Sequence, residues 1–454
     1  MDDSRTWLNS LKSMGMRKGI ESTATLLTRL GMPQHSFPSI HVAGSNGKGT
    51  CCAILSNAIT LSGTCTGLFT SPHLWHVNER IRIDGVPITN EMLDACLSKI
   101  KDAALQDPPI LPTFYEATFL AAMIAFSENG VQRAVIETGL GGRYDATRLV
   151  DADCCILTEI SLEHTEILGN TLAEIADEKV AIIRQGRPFI ASWTYDKDAR
   201  EVIENAVNDH QMAWWWRADR MEGILFDDAV KPFRETRTDF DGWIPYKEEA
   251  AMLAKNALLN MGLFRAANEI PRAITHTHWP GRMQWIEFES VPILLDAAHN
   301  PSGMERTCEE IRFQKSRDEA PMPGVILVGC TNQNDLHEFI HPLVEVIVEG
   351  QIEHVVVTQP SQGRRPPVDN SKLAKVISEQ GLELNIELSE NPLEAFEIAH
   401  SRAIEIDSET PPPVLCIGSL YLIGDILNHL DHGSYDAMSI LVPPEGEDGV
   451  DPVA

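Results

Sequence analysis

Between residues 38 and 185, short runs of consecutive apolar residues alternate with stretches whose apolar positions recur at helical spacing. The runs at 40–43, 133–136 and 155–158 are short, branched and continuous, which predicts strands buried on both faces. Residues 49–61, the run 119–126 and residues 171–183 predict helices, the first closed by Ser62-Gly63 and the third followed by Gly186. From 192 to 246 the pattern loosens. There Trp214-Trp215-Trp216 stands among scattered charges, which predicts irregular or hairpin structure, with the rings packed or, less simply, stacked on a base. Residues 248–267 read as helix again. A second series of apolar runs, at 293–295, 325–328, 354–357 and 414–417, begins near Val291 with helical stretches between them. Strands alternating with helices form βαβ units on mainly parallel sheets, so the chain is predicted as an α/β protein of two units crossing near 285–292. After Leu441 the chain turns rich in Pro, Gly and acid, the composition of a disordered tail.

The 454 residues fit roughly two or three domains. With 37 Lys and Arg against 66 Asp and Glu, the formal charge is −29. Such a field repels polyanions, so a nucleic-acid coat or a binder of anionic membrane is excluded. No run is long and apolar enough for a membrane span, and the acidic start Met1-Asp2-Asp3 lacks the apolar core of a signal peptide. The nine cysteines show no C-x-x-C spacing and sit mostly in apolar runs, the pattern of reduced core thiols in a cytoplasmic protein.

Chemistry concentrates after strands. Gly44-Ser45-Asn46-Gly47-Lys48-Gly49-Thr50 follows a strand and opens a helix. Glycines let backbone N–H groups wrap phosphate oxygens, the helix N-terminus adds positive potential, Lys48 reaches terminal phosphates and the Thr50 hydroxyl ligates Mg²⁺. The loop is shorter than the general P-loop, and Gly49 separates Lys48 from Thr50. A second Gly-rich loop, Glu137-Thr138-Gly139-Leu140-Gly141-Gly142-Arg143, also leaves a strand end, where Glu137 is either a hard metal ligand or a solvated loop residue. By residue type alone neither His164 nor Lys179 is singled out.

These strings, with others in the same order, carry a resemblance. They include Gly67-Leu68-Phe69-Thr70-Ser71-Pro72-His73, Asn78-Glu79-Arg80-Ile81-Arg82, Phe114-Tyr115-Glu116 and His164-Thr165-Glu166-Ile167-Leu168-Gly169. Further along stand Trp279-Pro280-Gly281-Arg282, Leu295-Asp296-Ala297-Ala298-His299-Asn300-Pro301 and Gly418-Ser419-Leu420-Tyr421. The chain resembles the folylpolyglutamate synthase/dihydrofolate synthase family of the Mur ligase superfamily. The resemblance implies a P-loop-containing, mainly parallel-sheet N-terminal ATPase domain that also binds pterin (1–288). A smaller Rossmann-like α/β glutamate-ligase domain (289–440) and the acidic tail (441–454) follow. It implies ATP- and Mg²⁺-dependent joining of L-glutamate to the carboxylate of dihydropteroate or a (tetrahydro)folate through an acyl phosphate, with a monovalent cation as an optional companion.

Residue roles follow from the same resemblance. Asn46, Gly47, Lys48 and Gly49 hold the β- and γ-phosphates. Thr50, Ser71, Glu137 and His164 match metal ligands. Lys179 matches a lysine that is carbamylated in many relatives. Asn256 matches an adenine-site residue, and Arg282, Asp296 and His299 close on the nucleotide from the domain junction. Tyr115, Glu116, Tyr144, Asp145 and Ala146 would seat the pterin side, and Arg364, Arg365 and Ser419 the incoming glutamate. Two departures stand out: Met252-Leu253 replaces a family His-Gln, and Gln333-Asn334-Asp335 replaces Asp-Lys-Asp. They leave open a nucleotide-binding protein without ligase activity, or a ligase with a non-folate acceptor. A cell-wall Mur ligase brings a UDP-binding domain ahead of its P-loop, which here begins at Gly44. The resemblance implies small-molecule partners and a monomer, and the charge leaves no nucleic acid or membrane among the expected partners.

Overall fold

The computed structural model describes residues 3–441, apart from 16, 18, 193, 195, 211–213, 218–222, 226–244, 364, 380–383 and 431–437. The acidic tail beyond Leu441 and the candidate Arg364 lie outside the described residues, as do the ring positions of the Trp triplet.

The first apolar series builds one sheet. Its strands are β1 (Ser39–Ala43), β2 (Thr66–Phe69), β3 (Ile81–Ile83), β4 (Val86–Pro87), β5 (Arg133–Glu137), β6 (Ala152–Leu157), β7 (Phe189–Ala191), β8 (Trp214–Arg217) and β9 (Gly223–Leu225). They lie in the order β4-β3-β2-β5-β1-β6-β7-β8-β9. From β2 to β8 neighbours run parallel, and the two ends close antiparallel, β8 and β9 as the predicted hairpin. β1 and β2 are buried at every position because helices cover both faces. Ile40 and Val42 point into the layer formed by the helices Lys48–Leu61 and Pro245–Asn260, while Ala43 and Phe69 point into the layer that includes the helix Phe114–Glu128. That last helix is buried at every position from Ala117 to Phe126 and, Thr118 apart, apolar there, as a helix buried all round is.

The second series builds a smaller sheet from β10 (Gln284–Phe288), β11 (Val291–Asp296), β12 (Val325–Val328), β13 (His354–Val357), β14 (Asn385–Leu388) and β15 (Val414–Ile417), in the order β10-β11-β15-β12-β13-β14. All pairs are parallel except β10–β11. β15, last in sequence, lies between β11 and β12, so the strand order switches there and a crevice opens past the carboxyl ends of these strands.

Two expectations are corrected. β10 pairs with β11 across residues 284–288, so the crossing between units lies before Gln284 rather than at 285–292. The single helix predicted for 248–267 is divided: Pro245–Asn260 ends at Gly262, whose φ of +72° no helix continues, and Phe264–Asn268 and Ile270–His276 follow. All three pieces face the same core, which is why the periodicity reads through the break. Ile440, far beyond the second sheet in sequence, is also buried in that first-unit core. Among the described residues no helix is long and apolar enough to cross a membrane. All nine cysteines are free, eight buried and Cys65 half-buried.

The buried helix Phe114–Glu128 starts at a capping box. Thr113 Oγ1 accepts the Glu116 N–H at 3.2 Å and the Glu116 carboxylate accepts the Thr113 N–H at 2.6 Å. The other Glu116 oxygen accepts the Thr23 hydroxyl at 2.8 Å. Glu116→Ala strands both buried donors, and a loss of about 2–3 kcal/mol in urea unfolding is expected.

Candidate active site

A cleft of about 1240 Å³ runs between the two units, lined from both. At its floor the loop 44–50 leaves β1 and turns into the helix Lys48–Leu61, with Gly47 as left-handed cap. The loop's carbonyls are tied inward. Lys48 Nζ donates to the Gly44 and Ser45 carbonyls, each at 2.8 Å, Lys179 Nζ donates to the Gly44 carbonyl at 2.7 Å, and Thr158 Oγ1 donates to the Asn46 carbonyl at 2.7 Å. Gly44 has φ +150°, and a Cβ there would lie 1.8 Å from Thr158 Oγ1, so no other residue fits. With carbonyls inward, the first N–H groups of the helix are left to an anion in the cleft.

Glu137 ends β5 in the same cleft, buried, with Oε2 accepting the Ser71 N–H at 2.9 Å. Burial pushes its carboxyl up to about 7, against the pull of Lys48, the Ser71 N–H, Arg282 and Arg80. Thr50, Ser71 and His164 line the cleft with it. Among the described residues no three His, Cys, Asp or Glu side chains converge on one metal position. Mg²⁺ held largely through substrate phosphates needs only one or two carboxylates, and a buried carboxylate sharing the cleft with the Thr50 and Ser71 hydroxyls fits that donor set.

Lys179 is 1% exposed and also donates to Glu163 Oε1 at 2.7 Å. Burial lowers its proton affinity. Burial would likewise raise the Glu163 carboxyl, but Lys179, Lys48 and His164 together hold it at about 2. This ion pair is the one an ammonium makes. Glu163, which residue type alone did not single out, is signalled only by this contact.

The second unit supplies the opposite wall. Asp296, at the end of β11, is buried and accepts N–H groups from Met283 and Ala298 and the Thr307 hydroxyl, each at 2.9 Å. It therefore shapes the junction that carries Arg282 rather than presenting a free carboxylate. Arg282, His299 and Ser419 line the cleft, and Ser419 caps the helix Leu420–His429. Asn46 ties the walls together: Nδ2 donates to Ser302 Oγ at 2.6 Å and Oδ1 accepts from Asn300 Nδ2 at 3.0 Å. Asn334 Nδ2 donates to Thr165 Oγ1 at 3.0 Å, Arg365 pairs with Glu166, and Arg306 pairs with Glu249 at 3.2 Å. The Gln333-Asn334-Asp335 departure thus contributes a contact between the units.

Other expected residues are placed differently. Asn256 donates back to the Met252 carbonyl at 2.8 Å and is not among the cleft residues, whereas Glu249, Ala250 and Leu253 on the same helix are. Glu116 is consumed by its capping box. Asp145 accepts the Tyr115 hydroxyl, the Gly139, Leu140 and Thr147 N–H groups at 2.9 Å each, and the Thr147 hydroxyl at 2.5 Å. Its carboxylate is filled by shaping the loop after β5. Tyr115 packs where a Cβ on Gly139 would lie 2.5 Å from its ring, and Ala146 is buried; none of these four lines the cleft, and Tyr144 is exposed at the surface.

The second unit is matched, over residues 282–429, by the family model described as dihydrofolate synthetase, C-terminal domain. The dihydrofolate synthetase of Saccharomyces cerevisiae is 30% identical over 92% of this chain and 99% of its own length. The dihydrofolate synthase/folylpolyglutamate synthase of Bacillus subtilis is 32% identical over 69% of this chain and 77% of its own. The chain belongs to the dihydrofolate synthase/folylpolyglutamate synthase family. A solved Mycobacterium tuberculosis folylpolyglutamate synthase, complexed with ADP, superposes with a TM-score of 0.77 over 95% of this chain and 99% of that one, at 24% identity, and shares the fold.

Two outcomes are expected from this family member's site. Glu163→Gln leaves the Lys179 ammonium buried without its counter-charge, and a loss of about 3–5 kcal/mol in urea unfolding is expected. Glu159, in the cleft near Glu249, is pushed up to about 7 by burial and that neighbour. Its raised value means the folded state holds a proton the unfolded chain has released, so stability falls as pH rises from about 4.5 to 7. Glu159→Gln is expected to be more stable than wild type by on the order of 1–2 kcal/mol at pH 8, with the difference gone near pH 4.

Proposed function

We propose that the protein is a Mg²⁺- and ATP-dependent ligase that joins the amine of L-glutamate to the carboxylate of dihydropteroate or a tetrahydrofolate. The observation that carries this is one cleft in which a phosphate-binding loop, a buried acid at a strand end and a capping serine of the second unit meet. A substrate carboxylate oxygen attacks the γ-phosphorus and ADP leaves. The glutamate amine then attacks the acyl carbon, inorganic phosphate leaves and the amine gives up a proton. Most of the barrier is charge crowding on oxygens, so positioned cations and N–H dipoles supply the catalysis.

Lys48 keeps its two loop carbonyls and turns its third N–H to a phosphate oxygen, and Asn46, Gly47 and Gly49 present the helix N-terminus. Arg282 and His299 meet the nucleotide from the second unit. Thr50, Ser71, Glu137 and His164 would hold Mg²⁺, which when bound neutralises charge on the phosphates. Glu163 keeps Lys179 charged beneath the loop. The contacts of Asn46, Asn334 and Arg365 across the cleft hold it closed and keep water from the acyl phosphate. The flat pteroyl group rests on Leu140, Leu162 and Leu172, which line the cleft, while Tyr115 and Asp145 shape the loop behind them. Arg365 and Ser419 receive the glutamate carboxylates. One chain carries both walls, which supports a monomer as the working unit, and the buried free thiols support a reducing cytoplasm.

Purified protein with Mg·ATP, L-glutamate and either dihydropteroate or a tetrahydrofolate is expected to release ADP only when both organic substrates are present. Mass spectrometry should show one added glutamyl unit on the first substrate, or a ladder on the second. Lys48→Ala is expected to lower kcat by about 10²-fold or more. The same preparation, sized in solution, should run as one chain. ADP release that ignores every pteroyl compound would sink the folate assignment.

A further inference from the structure

Residues 438–441 lie beyond the last helix of the second unit, Leu420–His429, yet they are built into the first. Met438 and Ile440 are buried to 1% and 0% exposure. The Ile440 N–H donates to the Gly85 carbonyl at 3.0 Å, and the Ile440 carbonyl accepts the His278 N–H at 3.0 Å and Asn57 Nδ2 at 2.9 Å. Leu441 forms an antiparallel bridge with Thr277, and a Cβ on Gly85 would lie 2.9 Å from Leu441 Cβ. The segment is thus wedged between the turn after β3 and the residues that lead into the junction between the units.

Its neighbours reach the phosphate loop by two routes. Asn57 sits on the helix Lys48–Leu61, about two turns from the loop. The second route runs through Arg82, which is buried. Its Nε and Nη2 donate to the Met438 carbonyl at 3.4 and 3.3 Å, Nη1 donates to the Glu79 carbonyl, and its Cζ lies 5.3 Å from the Trp279 ring centre. Trp279 in turn packs on the loop: a Cβ on Gly49 would lie 2.9 Å from Cζ2 and 3.1 Å from Nε1 of that indole. Carbonyl dipoles on one side and an aromatic face on the other suit a planar guanidinium with several fixed donors, and they leave it little freedom to turn.

We infer that residues 438–441 are a positioning strap for the nucleotide cradle: by holding Arg82 against Trp279 they set how the indole closes over Gly49 of the phosphate loop. The strap touches no substrate. It acts through Arg82 and Trp279, and through Asn57 on the loop's own helix. A segment that follows the second unit in sequence thereby sets the geometry of the ATP seat in the first. The inference rests on the reading of loop 44–50 as the nucleotide seat.

The test measures binding of a non-hydrolysable ATP analogue by calorimetry, together with the ATP KM, kcat and Tm, on full-length Ile440→Ala, Ile440→Val, Trp279→Phe and the Ile440→Ala/Trp279→Phe pair. Ile440→Ala is expected to weaken the analogue and raise the ATP KM by roughly tenfold, with kcat at saturating ATP changed by less than about twofold. Ile440→Val should bind like wild type, and the double variant should be no weaker than its worse parent because both act on one contact chain. Should Ile440→Ala not fold, Arg82→Lys gives the same readout, since an ammonium cannot span both carbonyls and face the ring. A lowered Tm with unchanged affinity, or additive losses in the double variant, would overturn the strap. Wild type that binds no analogue would instead overturn the nucleotide reading.

Discussion

A loop that is to bind phosphate must turn its N–H groups outward, and its carbonyls must then find donors inside the protein. The rest of this cleft depends on how that demand is met. Lys48, Lys179 and Thr158 together satisfy the carbonyls of Gly44, Ser45 and Asn46, so the loop is held in shape before any nucleotide arrives. Two ammonium groups near one loop repel each other, and Glu163 offsets that at Lys179. Gly44 is the only residue type that can pass beneath Thr158 at its φ. Remove any one of these and the cradle has an orphaned carbonyl or an unpaired charge in a place where water cannot compensate.

The same arrangement explains how a chain of net charge −29 takes polyanionic substrates. Lys48, Lys179, Arg80, Arg82 and Arg282 gather at the cleft or just behind it, and Lys179, Arg80 and Arg82 are buried. Inside, a charge acts over a short distance with little screening, while the surplus acids sit where solvent and salt weaken their field. Net charge therefore speaks to large partners, and local placement decides small ones.

Leu74 of the first unit packs against the second unit's core, and across the rest of the cleft the two lobes meet through small polar contacts. Asn46 with Asn300 and Ser302, Asn334 with Thr165, and Arg365 with Glu166 each cross the cleft. Such contacts can break and re-form around a substrate at modest cost, which an entirely apolar seam could not do. The strap at 438–441 is of the opposite kind, with buried apolar anchors and backbone hydrogen bonds, and it belongs with the fixed part of the machine.

The sequence by itself determined the class of the fold and the location of its phosphate loop. Both are local facts: continuous apolar runs between helical stretches, and Gly, Lys and Thr at the start of a helix. The signature Thr113-x-x-Glu116 is equally local, but Glu116 was expected at the substrate, and it is the folded helix start that makes it a cap. Tertiary structure alone decided which polar side chains are free. Asp145, Tyr115 and Asp296 have the right chemistry for a substrate, but the folded loops turn nearby backbone N–H groups onto the two carboxylates, and Asp145 also takes the Tyr115 hydroxyl from another element. It also decided that Glu163 meets Lys179, that Trp279 covers Gly49, and that Ile440 returns to the first unit's core. Each of those contacts joins residues far apart in the chain, and no spacing along a sequence records a distance across a fold.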